Sequence, residues 1–366
     1  MSARIDSFLQ IAVEQGASDL HVRAGHVPVV RHDGELVDIP FRVLSEIEAA
    51  VLVEEIMSPE QREVYQRTHD VDLVYGVPGV GRFRVNAFQQ HGGAGAVFRI
   101  IPARLPTLDD LALPPVARRL CRLQNGLVLV TGPTGSGKST TLAAMVDEIN
   151  RTQQRHILTI EDPIEHTHAS LKSAVTQRQI GTHVVDFATA LRSALREAPD
   201  VIVVGELRDT ETMQLALNAA ETGILVLGTL HTSSAAKAVP RIVDGMPESN
   251  QEEVRALLAM LLRAVIAQQL VRRASSDGRI AVVEILLQTH ATATMIRENK
   301  GHLLEGFLDS QRPGESEMQS RDTALLRLVR DGQIIADDAI LLARRPEQMR
   351  ASIDALALTE EDEERA

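Results

Sequence analysis

The chain has 366 residues, 44% of them hydrophobic and 24% charged, which fits two soluble globular domains. Its net charge of −12 argues against broad binding to a nucleic-acid backbone, and an aromatic content of 2% argues against base stacking. The single cysteine, Cys121, excludes a disulfide framework and a four-cysteine zinc site within the chain, and it favours a reducing, cytoplasmic location.

Two stretches bear on membrane insertion. Residues 1–16 carry charges and lack a long apolar core, so we expect neither a signal peptide nor an anchor. The most apolar later stretch, Ala256–Leu270, contains Arg263 and is shorter than the ~20 apolar residues that a membrane span needs. We therefore expect no direct insertion, and any link to a membrane is expected to pass through a partner protein.

Residues 1–102 are predicted to form a small domain of mixed α and β structure. An amphipathic pattern predicts a helix at Ile5–Glu14. The predicted strands are Leu20–Val22, Val27–Arg31, Asp72–Tyr75, Arg82–Phe88 and Ala96–Ile101, with turns at Asp33-Gly34 and Pro78-Gly79. Four prolines between residues 102 and 115 then predict a linker at 103–115, with a short helix near Leu108–Leu113.

Residues 116–345 change to an alternation of apolar, β-branched runs with helical patterns. The predicted strands are Leu127–Thr131, Ile157–Ile160, Val201–Val204, Leu225–Leu230 and Ile280–Leu287, and the predicted helices are Ser139–Asn150, Phe187–Glu197, Glu211–Thr222 and Glu252–Arg272. This alternation predicts an α/β domain with a mostly parallel sheet, helices on both faces and ligands at the carboxyl ends of strands. Residues 346–366 are predicted to be an acidic tail, whose charge run Glu360–Arg365 indicates a solvated or disordered end.

A phosphate-binding loop is predicted at Gly132–Ser139, between a strand and a helix. Its sequence GPTGSGKS matches the pattern G-x-x-x-x-G-K-[ST] in full. The glycines allow backbone N–H groups to point at phosphate oxygens, Lys138 would reach the β- and γ-phosphates, and the Ser139 hydroxyl would bind Mg²⁺. The predicted nucleotide-binding residues are Gly132, Pro133, Thr134, Gly135, Ser136, Gly137, Lys138, Ser139 and Thr140.

Hydrolysis also requires a group that orients and activates water. Glu161 follows the second predicted strand of this region and fits that role, whereas Glu206 follows the third strand and fits the binding of Mg²⁺ through water. The alternative for each is a surface acid that caps a neighbouring helix. The nearby acids Asp162 and Glu165 are equally well explained as exposed turn residues.

Histidines occur at two further places. His231 follows the fourth strand beside Thr229 and Thr232, where a hydrogen-bonded structural residue and a γ-phosphate sensor are equally compatible. His166 and His168 are better explained as exposed strand residues than as a metal-binding pair.

The chain resembles the secretion-type hexameric ATPases, and within them the retraction motors of type IV pili. The resemblance runs from Ala17-Ser-Asp-Leu-His21 to about residue 345, and it rests on GPTGSGKSTTLAAM at 132–145, ILTIEDPIE at 157–165, VGELRD at 204–209 and GTLHTSSAAK at 228–237. It implies a PAS-like first domain, a RecA-like second domain, and a homohexameric ring that binds ATP and Mg²⁺ between the two domains. It also implies a cytoplasmic motor that acts on an inner-membrane pilus platform protein, with a second pilus ATPase left open as a further partner.

The resemblance also implies individual roles. Glu161 matches the catalytic acid of the family's acidic box, Glu206 the Walker B acid and His231 the histidine box. Three positions on strands of the first domain match those from which relatives bring arginines to the phosphates: Arg82, Arg84 and Arg99. Without the resemblance, these arginines would be explained as solvated strand residues.

Three positions depart from the retraction motors. Ile224 stands where a second histidine is usual, and Ala198-Pro199-Asp200 stands where Asp-Pro-Asp is usual. Ala291–Met295 replaces an Ala-Ile-Arg-Asn-Leu motif that matters in the family for retraction rather than for hydrolysis. Two alternatives therefore stay open. One is a nucleotide-binding accessory or regulatory subunit, and the other is a pilus-assembly or type II secretion ATPase, against which the single cysteine and the short first domain argue.

Overall fold

The computed structural model describes residues 3–32, 34–101, 104–275, 278–312 and 314–364, with side chains described as far as Leu356. Parts of four predicted features lie outside these ranges: the turn residue Asp33, the first of the four prolines, Pro102, the first linker residue, Ala103, and Arg365 of the acidic tail. The chain divides into an N-terminal unit, residues up to 105 together with 163–166, and a C-terminal unit that contains the rest. The division falls inside the predicted linker, whereas no sequence signal predicts that residues 163–166 belong to the first unit.

The described residues of the N-terminal unit form a six-stranded antiparallel sheet and three helices. Its strands are β1 (Asp19–Arg23), β2 (Val29–His32), β3 (Glu35–Asp38), β4 (Asp70–Val77), β5 (Gly81–Gln90) and β6 (Gly93–Ile101). Its helices are α1 (Asp6–Glu14), α2 (Glu46–Glu54) and α3 (Pro59–Thr68). The strands lie in the order β3-β2-β1-β6-β5-β4. The helix and the five strands predicted in this region are confirmed.

Helices α2 and α3 are missing from the sequence predictions, although each begins at a capping box. The Ser45 hydroxyl accepts from the Glu48 N–H while the Glu48 carboxylate accepts from the Ser45 N–H, and Ser58 and Gln61 repeat the arrangement. Such reciprocal bonds satisfy N–H groups that have no partner in the first helical turn.

Strand β5 shows which face of this sheet is buried. Phe83, Val85 and Ala87 are fully buried in the core of the N-terminal unit. Because side chains alternate along a strand, Arg82 and Arg84 lie on the opposite face. The sequence pattern that predicts a half-buried strand here is therefore confirmed.

The C-terminal unit contains a seven-stranded sheet. Its strands are β7 (Gly126–Thr131), β8 (His156–Glu161), β9 (Ala174–Gln179), β10 (Val201–Val204), β11 (Leu225–Leu230), β12 (Leu262–Arg272) and β13 (Arg279–Leu287). They lie in the order β13-β12-β7-β11-β10-β8-β9, and the described neighbours are parallel except for the pair β12–β13. The predicted mostly parallel sheet is thus confirmed.

Helices cover both faces of this sheet. They are α4 (Val116–Leu120), α5 (Lys138–Thr152), α6 (Phe187–Ala194), α7 (Thr210–Glu221), α8 (Ala238–Asp244), α9 (Gln251–Leu261), α10 (His290–Arg297), α11 (Leu304–Asp309), α12 (Arg321–Arg330), α13 (Ala336–Leu342) and α14 (Pro346–Glu364). One core contains buried residues of α6 to α11, and a separate core contains those of α4 and α5, such as Leu120 and Met145. Two cores on one sheet confirm the predicted helices on both faces.

The predicted helix at Glu252–Arg272 is wrong in its second half. Helix α9 ends at Leu261, and the chain continues directly into strand β12. Val265 and Ile266 are β-branched and fully buried, and β12 pairs with β7 on one side and with β13 on the other. Pairing on both edges stabilises the strand here, and sequence periodicity alone cannot show that pairing.

The predicted short helix at Leu108–Leu113 is also wrong, because the segment forms a turn. The Thr107 N–H donates to the Asp110 carboxylate at 2.9 Å, and the Asp110 N–H donates to the Thr107 hydroxyl at 3.1 Å. These bonds resemble a helix start, but Pro114 and Pro115 follow within four residues of Leu111 and disfavour its continuation.

The predicted acidic tail begins as a packed helix. Met349 of α14 is 4% exposed and lies in a core cluster with Val271 and Leu325. The charge run predicted as a solvated or disordered end falls on the last turns of α14 and on Arg365, which lies outside the described residues. Within the described part of the chain, none of the helices has the length and apolar character needed to cross a membrane.

A buried ion pair attaches the C-terminal helices to the sheet. Glu284 of β13 is 1% exposed, and its carboxylate accepts from the Arg344 guanidinium and from the Ala235 N–H, both at 2.6 Å. Burial raises the pKa of Glu284, and the positive charge of Arg344 opposes that shift. The segment after β11 and the segment after α13 therefore meet at one carboxylate.

Candidate active site

The predicted phosphate loop connects β7 to α5 and depends on glycine for its shape. Gly132 and Gly137 have φ angles of +148° and +87°, a region that residues with side chains rarely adopt. A Cβ atom at Gly132 would lie 2.3 Å from the Gln268 carbonyl oxygen and 2.5 Å from Ser136 Oγ. The loop therefore packs closely under Gly132, and a larger residue there would force it open.

Lys138 begins helix α5 and folds back over the loop. Its ammonium group donates to the carbonyl oxygens of Gly132 and Pro133 at 2.8 and 2.9 Å, and the residue is 9% exposed. Ser139, next along the first turn, is exposed. The lysine charge, the helix N-terminus and an accessible hydroxyl thus lie together, an arrangement that suits a phosphate group.

Two buried hydroxyls in this region have no hydrogen-bond partner among the described residues. They are Ser136 Oγ inside the loop and Thr131 Oγ1 at the end of β7. A buried polar group without a partner costs about 1–3 kcal/mol. Donors in this position fit a ligand rich in acceptor oxygens, such as a nucleotide phosphate.

Gln268 of β12 holds the phosphate loop through hydrogen bonds, and the sequence analysis did not identify this residue. Its side chain is buried, its amide nitrogen donates to the Ser136 carbonyl at 2.6 Å, and its amide oxygen accepts from the Thr141 hydroxyl at 2.8 Å. One amide therefore ties the loop to helix α5. Because the sequence pattern predicts a helix over residues 262–272, it does not predict this contact.

The two predicted acids lie at the carboxyl ends of neighbouring parallel strands, Glu161 as the last residue of β8 and Glu206 two residues after β10. Ile160 of β8 is paired with Val204 of β10, so Glu161 and Glu206 leave the same edge of the sheet. The Gly205 N–H donates to the Ile160 carbonyl at 2.8 Å. This arrangement agrees with ligand binding at the carboxyl ends of the strands.

Glu206 contacts two basic side chains. His231 Nε2 lies 3.2 Å from Glu206 Oε1, and Arg208 Nε donates to Glu206 Oε2 at 2.5 Å. Arg208 also lies 3.8 Å from Asp162. Exposed ion pairs of this kind contribute at most about 1 kcal/mol to stability, so their main effect is to orient the carboxylate. The structure thus brings Glu206 and His231 together and adds Arg208, which sequence reasoning missed.

Glu161 has two hydrogen-bond donors on the sheet. The Thr159 hydroxyl donates to Glu161 Oε1 at 2.6 Å, and the Gln177 amide donates to the same oxygen at 3.1 Å. Gln177 lies on β9, a strand that the sequence did not predict, so this contact was also missed. The carboxylate is therefore oriented by the sheet itself.

The three predicted arginines lie in the N-terminal unit, where each has an acceptor. Arg82 donates to the carbonyl oxygens of Ile164 and Glu165 at 3.0 and 3.4 Å. The other two are cross-strand neighbours with carboxylate partners: Arg84 lies 3.5 Å from Glu165, and Arg99 donates to Asp19 at 2.9 Å. Binding of phosphate by these arginines stays a prediction.

Two of the three departures from the retraction motors lie in packed parts of the C-terminal unit. Ile224 is 9% exposed and lies in the core that also contains α7, where an apolar side chain packs well. Residues 291–295 lie in α10, where Thr292 and Ala293 are buried and Met295 packs against the same core. The segment therefore packs through Thr292, Ala293 and Met295, whereas Ala291 is exposed.

The interpretation of His166 and His168 as exposed strand residues is wrong. The two residues precede β9 and lie outside any strand, and His166 is only 8% exposed. Burial lowers the pKa of His166, which favours its neutral form. Within the described ranges, no group of three His, Cys, Asp or Glu side chains is placed to hold a metal ion.

Comparison with known proteins identifies the class of protein to which this chain belongs. The family model for type II/IV secretion system proteins matches residues 1–306, and the chain belongs to that family. The type IV pilus retractation ATPase PilT of Pseudomonas aeruginosa is 47% identical over 343 residues, which cover 94% of this chain and 99% of that protein. A twitching motility protein of Neisseria gonorrhoeae is 48% identical over 322 residues, which cover 88% of this chain and 86% of that protein.

A solved structure agrees with this assignment. The crystal structure of the pilus retraction motor PilT with bound ADP matches with a TM-score of 0.86 at 42% identity, over 95% of this chain and 99% of that one. The predicted resemblance to secretion ATPases is therefore confirmed. The predicted fold class, a RecA-like domain preceded by a smaller α+β domain, is confirmed as well.

Proposed function

We propose that this chain hydrolyses ATP and uses the energy to drive the retraction of type IV pili. The observation that carries the proposal is the folded phosphate loop, Gly132–Ser139, in a sheet where β8 ends at Glu161 and the neighbouring strand β10 ends two residues before Glu206. The retraction ATPase and the twitching motility protein, each close to half identical to this chain, support the choice of retraction over assembly.

The chemistry divides among a few side chains. Backbone N–H groups of the loop and the Lys138 ammonium would bind the β- and γ-phosphates. When bound, Mg²⁺ neutralises phosphate charge, and the residues that would hold it are Ser139 by its hydroxyl and Glu206 through water. Glu161 would accept the proton of the attacking water, and His231 would sense the γ-phosphate. Arg82, Arg84 and Arg99 would add positive charge at the phosphates.

The proposed assembly and location follow from the same family. We propose a cytoplasmic ring of six copies that acts on an inner-membrane platform protein at the pilus base. Membership of the type II/IV secretion family supports a motor that is built of several copies. A second pilus ATPase is a further proposed partner.

Glu206→Gln is expected to lower Mg²⁺-dependent hydrolysis by about 10- to 100-fold, the usual cost of removing a group that orients a metal ligand. The measurement is steady-state ATP turnover against Mg²⁺ concentration, with assembly checked by mass photometry. Glu211→Gln is the control, because Glu211 is an exposed acid of α7 whose partner is Arg192. Equal turnover in Glu206→Gln and wild type would contradict the assignment of Glu206.

Deletion of the gene tests retraction itself. We expect excess static pili and loss of twitching, because pili would still be assembled but not withdrawn. Complementation with the wild-type gene should restore twitching, whereas the Glu206→Gln gene should not. Absent pili would indicate an assembly motor instead.

An accessory role is the second candidate, and the altered helix Ala291–Met295 favours it. A deletion strain that keeps normal pilus number and full twitching would reject retraction as the main role. If the purified protein still bound ATP without turnover, a regulatory nucleotide-binding subunit would replace the motor.

A further inference from the structure

Gln177 lies beside the proposed water-activating acid because of strand register. In the parallel pair of β8 and β9, Thr159 is the partner of Gln177. Thr159 and Glu161 are two residues apart on β8, so their side chains point to the same face of the sheet. Glu161 is therefore held both from its own strand, by Thr159, and from the neighbouring strand, by Gln177.

The orientation of the Gln177 amide is fixed by its other end. The His168 N–H donates to Gln177 Oε1 at 2.8 Å. A backbone N–H can only donate, so the amide oxygen must face His168 and the amide NH₂ must face Glu161. Rotation of the amide by half a turn would place donor against donor and acceptor against acceptor. The residue can thus only donate to the Glu161 carboxylate.

Two donors on one oxygen also fix the direction of the carboxylate. Both the Thr159 hydroxyl and the Gln177 amide meet Glu161 Oε1, at 2.6 and 3.1 Å. Rotation about the last side-chain bond of Glu161 would break both bonds, so the position of the second oxygen is set as well. A catalytic base needs this kind of fixed placement, because small displacements of the reacting atoms are costly.

We propose that Gln177 is a positioning residue for ATP hydrolysis, which aims the Glu161 carboxylate and joins it to the backbone at His168. The inference rests on the proposed function, since it requires that Glu161 activates the attacking water. Gln177 lies on β9, and three strands separate β9 from β7, the strand that leads into the phosphate loop. Its effect should therefore be on turnover and not on nucleotide binding.

The test is Gln177→Leu in the full-length protein. Leucine has a similar volume but cannot donate, so kcat for ATP hydrolysis should fall about 10- to 100-fold, the cost of a misplaced catalytic group. The KM for ATP and the affinity for ADP should change by less than about twofold, because the phosphate loop is untouched. If Gln177 had a purely structural role, nucleotide binding and ATP turnover would be lost together.

Thr176→Val is the matched control. Thr176 is the neighbouring residue on β9, points to the opposite face and lies 3.2 Å from the His156 ring. The substitution also removes one hydrogen bond from the strand. A kcat close to wild type would therefore show that a disturbance of β9 is not sufficient to lower kcat. If Gln177→Leu fails to fold, Gln177→Glu keeps the size and polarity of the side chain but replaces the donor with a negative charge.

A double mutant identifies the residue through which Gln177 acts. In a Glu161→Gln background, Gln177→Leu should cause no further loss of kcat, because residues that act as a unit are non-additive. Independent, multiplicative losses would overturn the inference, and so would wild-type kcat in Gln177→Leu. An inactive wild-type protein would instead reject the proposed function, so the two failures are distinguishable.

Discussion

Glu161→Gln is expected to bind ATP normally and to hydrolyse it about 10²- to 10⁴-fold more slowly, the usual contribution of a general base. Glutamine keeps an oxygen that can accept from Thr159 and Gln177, so the local fold should survive. What it loses is the ability to take a proton from water. The measurements are single-turnover hydrolysis and the affinity for a fluorescent ATP analogue.

Glu197→Gln is the control for this change. Glu197 is a partly buried acid of the same unit, and it pairs with Arg178 at 2.9 Å. Its substitution removes one negative charge and one ion pair, so it reproduces the electrostatic change without touching the proposed base. Turnover in Glu161→Gln that matches this control would show that Glu161 does not activate the attacking water.

Lys138→Ala is expected to weaken ATP binding roughly 10- to 100-fold, because a hydrogen bond to a charged group contributes about 1.5–3 kcal/mol. The lysine also holds the carbonyl groups of Gly132 and Pro133 in the structure, so some loosening of the loop should add to the loss. The measurement is the equilibrium affinity for ATP and for ADP, with thermal melting to check the fold.

Lys300→Ala serves as the reference, because Lys300 is an exposed lysine whose partner is the Glu298 carboxylate at 2.7 Å. Both variants lose one positive charge, but only Lys138 is placed at the loop. Unchanged nucleotide affinity in Lys138→Ala, with a normal melting temperature, would mean that the loop has been misinterpreted and binds no phosphate.

Sequence reasoning located the parts of the site that are encoded locally. The loop Gly132–Ser139 is a continuous pattern that connects a strand to a helix. Glu161 is the last residue of β8, and Glu206 follows β10 by two residues. Such features depend on neighbours in the chain, so the sequence is sufficient to find them. The capping boxes at Ser45 and Ser58 are equally local and could have been used to predict α2 and α3.

The missed residues depend on contacts between distant segments. Gln177 and Gln268 contribute through the register of β9 against β8 and through the position of β12 beside β7. Neither strand was predicted, because β9 is mostly polar and β12 continues the apolar pattern of α9. Arg208 is only two residues from Glu206, but its contact depends on the geometry of the turn after β10.

The buried pair of Glu284 and Arg344 limits how the chain can be shortened. A fragment that ended before Arg344 would leave the Glu284 carboxylate in the core without its cation, and such a loss typically costs about 3–5 kcal/mol. Met349 extends the requirement, because its side chain fills the core cluster beneath α14. A smaller version of the protein for crystallography should therefore be trimmed only after Met349.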